Sequence, residues 1–169
     1  RRRHRPDHRL MEDARGTGAT LALALGASQA AVLALTPVLA DVARDLGVST
    51  ATAGQLRTIS GLAAGVTALL LGLVATRIGL RDFVVGGLLL LAAGSAVSAA
   101  ATTFAILGVE QLLIGAGVGL SYTAAIAAVA EWSAPGERSR VLSVALLGPP
   151  AAWVVGMPLC GLVGEVSWR

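Results

Sequence analysis

Five long stretches without a charged side chain run through this chain of 169 residues, at 16–40, 58–76, 83–109, 111–130 and 141–164. A helix rises about 1.5 Å per residue, so roughly 20 apolar residues cross the hydrocarbon core of a bilayer. Backbone polar groups find no water in that core, so segments that cross it must be helical. The sequence therefore predicts an all-α integral membrane protein. Its five transmembrane helices are expected at about 17–40, 52–75, 83–101, 105–129 and 141–164.

The composition argues against a soluble protein and against metal or cofactor chemistry. Only 14 % of the residues are charged and the mean hydropathy is +0.76, whereas soluble domains contain about 25 % charged residues. Cys160 has no second cysteine to pair with, and with only His4 and His8 beside it a Cys/His metal cage is not expected. No nucleotide-binding P-loop motif occurs in the sequence. We therefore expect neither an enzyme nor a bound metal or cofactor.

The positive net charge of the chain comes from its N-terminal tail. Residues 1–15 hold six arginines and three acids, and the remaining residues are electrically balanced. We expect residues 1–16 to form a basic cytoplasmic tail and residues 17–169 to form the transmembrane domain. Met11 is a candidate translation start, and a start there would remove five arginines. Because the charge is confined to this tail, nucleic-acid binding is not expected.

The arginines also predict how the chain is oriented in the membrane. Short loops on the cytoplasmic side of a membrane are enriched in arginine and lysine. The loops on the same side as the tail hold Arg77, Arg81, Arg138 and Arg140. The opposite side holds Arg44 and Arg169. The sequence thus predicts a multi-pass protein of the cell membrane, surrounded by the lipid bilayer, with its N-terminus in the cytoplasm.

Three of the predicted spans carry polar side chains on one helical face. Gln29 and Thr36 are seven residues apart in the first span, the spacing of neighbours on a helix surface. Arg57 and Ser60 share a face of the second span, and Gln111 lies on the fourth. The third span has only serines and glycines among aliphatic residues, and could lie entirely against lipid. This asymmetry predicts a polar pathway for substrate and protons, lined by Gln29, Thr36, Arg57, Ser60, Glu110 and Gln111.

Arg57 and Glu110 are the two charged residues expected inside or near the hydrocarbon. Each could stay at the membrane surface, Arg57 by extending to the lipid headgroups and Glu110 as an interfacial carboxylate. The functional alternatives are an ion pair between the two side chains, or a Glu110 that exchanges protons beside Gln111. The sequence leaves these alternatives open.

The fifth span combines small residues with prolines. Small residues recur every four positions, at Gly148, Ala152, Gly156, Cys160 and Gly164. Such a face lets helices approach closely, and each proline removes a backbone donor, which bends the helix. We therefore assign packing and bending of this span to Gly148, Gly156, Pro158 and Gly161.

The segment between the second and third spans resembles a loop signature of the major facilitator superfamily, usually G-x-L-A-D-R-x-G-R-R/K. The matching residues are Gly72, Ala75, Arg77, Gly79 and Arg81. Thr76 stands where the family has an acidic residue, and Leu80 where it has a basic one. The resemblance implies a cytoplasmic gating loop, with Glu131 as a candidate partner for an arginine in place of the missing acid. We assign this gating role to Gly72, Arg77, Gly79, Arg81, Glu131 and Arg138.

Later segments add to this resemblance. Residues 111–117, Q-L-L-I-G-A-G, are similar to the family's R-x-x-Q-G-x-G stretch, with Gln111 at the arginine position. Residues 131–140 are similar to the loop between the family's helices 4 and 5. Residues 156–161, G-M-P-L-C-G, partly resemble the G-P-x-x-G element of its exporters. The chain is thereby expected to supply helices 1–5 of the N-terminal six-helix half, and to end in the link towards helix 6.

The resemblance implies a secondary transporter of twelve helices around a central cavity, with helices 1, 2, 4 and 5 near the cavity and helix 3 peripheral. The expected function is proton-coupled efflux of a small organic molecule or drug by alternating access. The partners would be that small-molecule substrate, the proton and the C-terminal half of the same polypeptide. Two alternatives remain, an uptake permease for a sugar or metabolite and a membrane scaffold or subunit without transport activity.

Overall fold

A computed structural model describes the chain over residues 8–74 and 78–164. Within these ranges the chain is helical and contains no strand. The helices of the first four spans are α1 (His8–Leu33), α2 (Leu39–Asp45), α3 (Thr50–Val74), α4 (Leu80–Ala99) and α5 (Phe104–Trp132). The fifth span comprises α6 (Arg138–Ala145), α7 (Gly148–Ala151), a π-helical segment π1 (Ala152–Gly156) and α8 (Met157–Gly164). Predictions for residues 1–7, for 75–77 with Arg77, and for 165–169 lie outside the described residues.

Five segments of the described chain are long and apolar enough to cross a membrane. They run over Arg15–Leu33, Thr50–Val74, Leu80–Ala99, Phe104–Trp132 and Arg138–Val163. The expected all-α class with five candidate membrane-spanning helices is confirmed. We call the end of the bundle with residues 34–49 and 100–103 the upper end, and the end with residues 78–79 and 133–137 the lower end.

α1 ends at Leu33, earlier than the predicted end of the first span at residue 40. Pro37 explains the difference, because a proline ring clashes with the carbonyl group four residues earlier, here that of Leu33. Residues 34–38 form turns, and α2 begins at Leu39. Thr36 therefore lies in these turns, and its predicted helical alignment with Gln29 is wrong.

Side-chain hydroxyl groups cap the starts of the second and fourth spans. The backbone N–H of Thr52 donates to Ser49 Oγ at 3.0 Å, ahead of α3. The backbone N–H of Ile106 donates to Thr103 Oγ1 at 3.3 Å, ahead of α5. The first N–H groups of a helix have no partner within the helix, so these hydroxyl groups favour helix initiation at both positions.

α5 lies at the centre of the bundle, and its glycines let two neighbouring helices approach its backbone. A methyl group at Gly115 would collide with the Ser60 carbonyl oxygen of α3. A methyl group at Gly117 would lie 2.7 Å from the Gly87 carbonyl oxygen of α4. Without side chains at these positions, the helices pack closely through van der Waals contact, which stabilises helix association in lipid.

α4 does not lie entirely against lipid, contrary to the possibility raised by its sequence. Gly87 and Gly94 bring it against α5, where Ile114 and Ser121 fill the space that side chains on α4 would occupy. In the described chain, 28 % of the α4 span is buried, against 11 % for α3. The lack of polar side chains on α4 therefore did not mean that this helix faces lipid on all sides. Its small residues permit tight packing against α5.

The fifth span is not one regular helix. Pro149 and Pro150 lie in the first turn of α7, where a missing N–H costs least. Pro158 is the second residue of α8, which follows π1. The wider turn of π1 carries an extra residue, which rotates the following residues around the helix axis. As a result, a methyl group at Gly156 or Gly161 would meet no described atom within 4 Å. Among the described residues, neither glycine makes a close helix contact, and the packing role predicted for them stays a prediction.

Gly148 is the position where the fifth span meets α1. A methyl group at Gly148 would collide with the Ala22 carbonyl oxygen, and one at Gly26 would lie 3.2 Å from the Gly148 carbonyl oxygen. Gly148 is buried. Two glycines thus face each other across this interface, which brings the two backbones into contact.

Candidate transport pathway

The polar residues of the predicted pathway lie near the upper end of the bundle but do not form one cluster. Arg57 of α3 donates from Nη1 to the Val32 carbonyl oxygen and, at 3.3 Å, to Thr36 Oγ1. The last carbonyl groups of a helix lack intrahelical donors, and the guanidinium supplies donors where Pro37 interrupts α1. The structure thus joins Arg57 with Thr36 and ties α3 to the end of α1.

Two other pathway residues take part in local contacts. Ser60 is buried and donates to the Arg57 carbonyl oxygen at 3.1 Å, one turn earlier in α3. Its own carbonyl oxygen faces Gly115 of α5. Gln29 is half-buried in α1, and its side-chain amide has no hydrogen bond to a described residue. Ser60 therefore lies in a helix interface, while Gln29 keeps its amide available.

Glu110 and Gln111 form a buried polar pair at the upper end of α5. Their exposed fractions are 3 % and 4 %, and Gln111 Nε2 donates to Glu110 Oε2 at 2.7 Å. The alternative of an ion pair between Arg57 and Glu110 is wrong, because Arg57 faces the end of α1 instead. A salt bridge joins Arg44 and Asp41 at 2.7 Å on the surface.

A cavity of about 180 Å³ adjoins Glu110. It lies between the upper ends of α1 and α4 and the start of α5, and its lining is Ala31, Ala34, Leu35, Ser95, Ser98, Ala99 and Glu110. Two hydroxyl-bearing residues of α4 thus share a cavity with the buried carboxylate. The sequence placed Ser95 and Ser98 in a span without functional assignment, since helical spacing within one span does not show which helix lies opposite.

A buried pair of serines that the sequence analysis did not select connects α1 and α5. Ser28 Oγ and Ser121 Oγ are 2.8 Å apart, and both side chains are fully buried. Each hydroxyl also lies within hydrogen-bond distance of a carbonyl oxygen in its own helix, Ser28 at 2.8 Å from that of Ala24 and Ser121 at 2.7 Å from that of Gly117. Because each hydroxyl has one proton to donate, one of them donates across the interface while the other donates to its own helix. Their positions near the middle of two apolar spans were the available signal, because hydroxyl groups at such depth usually bond to another helix.

The predicted gating loop shows no charge network among its described residues. Arg81, Glu131 and Arg138 are exposed, and no salt bridge joins them. The suggested pairing of Arg81 with Glu131 is therefore wrong, whereas Arg77 lies outside the described residues. Gly79 has φ −67, which any residue adopts, and a methyl group at Gly72 would meet no described atom.

Two apolar grooves run along α1 on either side of Leu23, which is 75 % exposed. One groove, of about 620 Å³, lies between α1 and α4 and has Arg81 and Trp132 at its lower rim. The other, of about 660 Å³, lies between α1 and the fifth span. Both contain Leu23 and Ala27, so one broad apolar face of α1 has no neighbour among the described helices.

Comparisons with known proteins agree with the resemblance noted in the sequence. The family model of the Major Facilitator Superfamily matches residues 21–169. A chloramphenicol resistance protein of Streptomyces lividans is 32 % identical over 148 residues, which cover 86 % of this chain and 37 % of that protein. No solved structure matches the chain. This chain therefore spans little more than a third of that relative's length.

The family match decides the class of the protein. It covers all five spans except the first residues of α1, and it confirms the family resemblance of the loop and glycine segments. A transporter family rather than an enzyme family accounts for the sequence, in agreement with the expectation that the chain is not an enzyme. The chain belongs to the Major Facilitator Superfamily.

Proposed function

We propose that this chain is part of a secondary transporter that exports small organic molecules, with chloramphenicol as the first substrate to test. The observation that carries the proposal is the 32 % identity to a chloramphenicol resistance protein over 86 % of the chain. A membrane protein can protect a cell against an antibiotic by carrying it out. The helices α1, α3, α4, α5 and the fifth span would form most of one transporter half.

Alternating access requires that a bundle of helices moves as a unit against a second bundle. The glycine contacts of α5 with α3 and α4 support such a unit, as does the contact of Gly148 with α1. Close backbone packing of this kind resists deformation within the bundle. We therefore propose that the described helices rock as one body, and that the C-terminal half of the polypeptide provides the second body.

We further propose that a proton gradient drives export and that Glu110 carries the proton. Glu110 is the one buried acid among the described residues. A charge buried among apolar helices is unfavourable, so uptake of a proton removes an unfavourable charge and release restores it. Gln111, Arg57, Ser60, Thr36 and Gln29 then provide polar groups for the substrate path.

The orientation that we propose places the lower end in the cytoplasm of a cell-membrane protein. The lower end holds Arg81, Arg138 and Arg140, whereas the described upper end holds Arg44. Arginine-rich short loops remain on the cytoplasmic side during insertion. The N-terminus is then cytoplasmic, and Glu110 lies towards the outer side.

The test is accumulation of radiolabelled chloramphenicol in a susceptible bacterium that lacks its own exporters. The gene is expressed with whatever coding sequence follows Arg169, and membrane insertion is checked by immunoblot. We expect several-fold lower accumulation than in cells with an empty vector, and a protonophore should abolish the difference.

A matched pair of variants separates the coupling role from general damage. Glu110→Gln should restore accumulation to the empty-vector level, while Asp41→Asn, which removes an exposed acid of α2 outside the proposed pathway, should leave export intact. Unchanged accumulation with the protein present in the membrane would contradict export. Higher accumulation would favour an uptake permease instead. Export that persists in Glu110→Gln would remove the proton role from this residue.

A further inference from the structure

We propose that the cavity beside Glu110 is a binding site for a monovalent metal cation, with Na⁺ as the probe. We name it the Glu110 pocket, lined by the seven residues given above. One consequence rests on the proposed function: Na⁺ and the transported proton would compete for one carboxylate. Binding itself requires no transport and is tested separately.

The charge of Glu110 is the first argument. Its side chain is 3 % exposed, and Oε2 accepts a hydrogen bond from the neutral amide of Gln111. Among the described residues, Oε1 has no hydrogen-bond partner and no cationic side chain pairs with the carboxylate. A buried carboxylate without a compensating charge is strongly unfavourable. A cation in the adjoining cavity would supply that charge.

The helix ends around the pocket provide the second argument. α1 ends at Leu33 and α4 ends at Ala99, and both last turns reach the pocket, through Ala31 and through Ser98. The C-terminal end of a helix carries a partial negative charge on carbonyl groups that lack intrahelical donors. Arg57 already donates to the Val32 carbonyl oxygen at the end of α1, so the end of α4 is the one that places an uncompensated partial negative charge beside the carboxylate. This end makes the local potential more favourable for a cation.

The donor atoms and the available space select the class of cation. The carboxylate, two serine hydroxyl groups and helix-end carbonyl groups are all oxygen donors, as alkali-metal sites in membrane proteins require. No aromatic side chain lines the pocket, so the usual contacts for an organic ammonium group are absent from its described lining. Ca²⁺ takes about six to eight oxygen ligands, and Mg²⁺ is usually bound together with substrate phosphates. A lining with one carboxylate and two serines offers neither set. A volume of about 180 Å³ has room for one ion and a few waters.

The pocket is also accessible from outside the bundle. Ser95 is exposed and Ser98 is half-buried, one turn apart at the upper end of α4. Arg57 is bonded to Val32 and Thr36 and is not among the residues that line the pocket. An ion can therefore enter between α1 and α4 near the membrane surface.

The experiment measures thermal unfolding of the purified polypeptide in detergent at constant pH, with NaCl replaced stepwise by choline chloride at constant ionic strength. A ligand that binds only the folded state raises Tm in a saturable manner. At about a hundredfold excess of Na⁺ over Kd, we expect a rise of roughly 5–10 °C. Glu110→Gln should lose this rise, and Ser98→Ala should shift it to higher Na⁺ concentrations.

The control is Glu131→Gln, which removes an exposed acid from the lower end of the same helix and should keep the full rise. If Glu110→Gln does not fold, binding of ²²Na⁺ to the unmodified protein, displaced by unlabelled Na⁺ and weakened in Ser98→Ala, supports the proposal. The same Tm in NaCl and in choline chloride would overturn the proposal. An equal Na⁺ effect in Glu110→Gln would also overturn it.

The outcome is independent of the proposed function. If Na⁺ raises Tm in a manner that needs Glu110 but the protein does not change chloramphenicol accumulation, the cation site is supported and export is contradicted. If the protein exports chloramphenicol but Na⁺ does not change Tm, export is supported and the cation site is contradicted.

Discussion

At the scale of single residues, Arg57 has a structural role that its charge alone did not predict, because it supplies hydrogen-bond donors to the end of α1. Pro37 interrupts α1 and leaves carbonyl groups at its end without donors. Arg57 donates to the Val32 carbonyl oxygen and to Thr36 Oγ1. An arginine near the membrane surface could instead have extended to lipid headgroups, but the nearby carbonyl groups offer fixed partners.

Replacement of Arg57 should therefore destabilise the fold. Hydrogen bonds to charged groups contribute about 1.5–3 kcal/mol, so we expect Arg57→Ala to lower the free energy of unfolding by about 2 kcal/mol, measured by denaturant titration in detergent. The control is Arg44→Ala, because its salt bridge to Asp41 is exposed and such pairs contribute about 0–1 kcal/mol. Equal effects of the two substitutions would contradict the capping role.

Glycine positions on α5 give a second prediction at this scale, with effects of opposite sign. Gly115→Ala places a methyl group against the Ser60 carbonyl oxygen, and overpacking of this kind costs about 1–3 kcal/mol. Gly108→Ala on the same helix meets no described atom within 4 Å, and alanine favours a helix over glycine by about 1 kcal/mol. Thermal unfolding should show a lower Tm for the first variant and an equal or higher Tm for the second.

At the scale of helices, small residues and hydroxyl groups make the closest contacts between spans, beside the clusters of larger apolar side chains. Gly87, Gly117 and Gly148 bring backbones together, and Ser28 bonds to Ser121 across the interface of α1 and α5. Lipid tails are as apolar as leucine, so burial of leucine drives association weakly within a bilayer. Close packing and hydrogen bonds provide the remaining stabilisation.

The serine pair is testable by a double-mutant cycle. Interhelical hydrogen bonds in membrane proteins average about 0.6 kcal/mol, and we expect a coupling energy of about this size between Ser28→Ala and Ser121→Ala. Ser143→Ala is the control, since Ser143 donates only to Ser139 within its own helix. A coupling energy of zero between Ser28 and Ser121 would show that the two hydroxyl groups bond independently to their own helices.

At the scale of the whole molecule, the bundle combines a tightly packed centre on α5 with an open apolar face on α1. Half of the α5 span is buried, whereas Leu23 of α1 lies bare between two grooves. An apolar cluster at the upper end packs α2 against α3 and the start of α5, through Val42, Leu56 and Leu107. The segment that follows α1 and contains α2 is therefore folded against the upper end of the bundle.

The orientation of this molecule can be measured with single cysteines. Cys160, the only native cysteine, is first replaced by serine. Thr102→Cys in the upper link and Ala134→Cys in the lower loop then place one exposed thiol at each end. With the N-terminus in the cytoplasm, a membrane-impermeant maleimide should label Cys at position 102 in intact cells, and position 134 only after permeabilisation. The reverse pattern would overturn the orientation.

The helical class, the five candidate membrane-spanning helices and the family followed from the sequence alone. Uncharged stretches of about 20 residues leave a chain in lipid no alternative to helices, and the glycine and arginine motifs occur in the family's order. Local rules could also have placed the end of α1, because Pro37 acts on a carbonyl four residues before it. The sequence analysis instead treated the whole apolar stretch as one helix.

Only the tertiary structure decided which polar groups meet. Arg57 and Glu110 are at similar depth in their spans, yet Arg57 bonds to the end of α1 while Glu110 faces Ser95 and Ser98 of α4. Helical periodicity places residues on a face of their own helix but does not show which helix lies opposite. That choice depends on where glycines permit close approach, and on the added rotation at π1. The close approach at glycines and the rotation at π1 are properties of the packed bundle. The hydropathy of successive residues does not predict either of them.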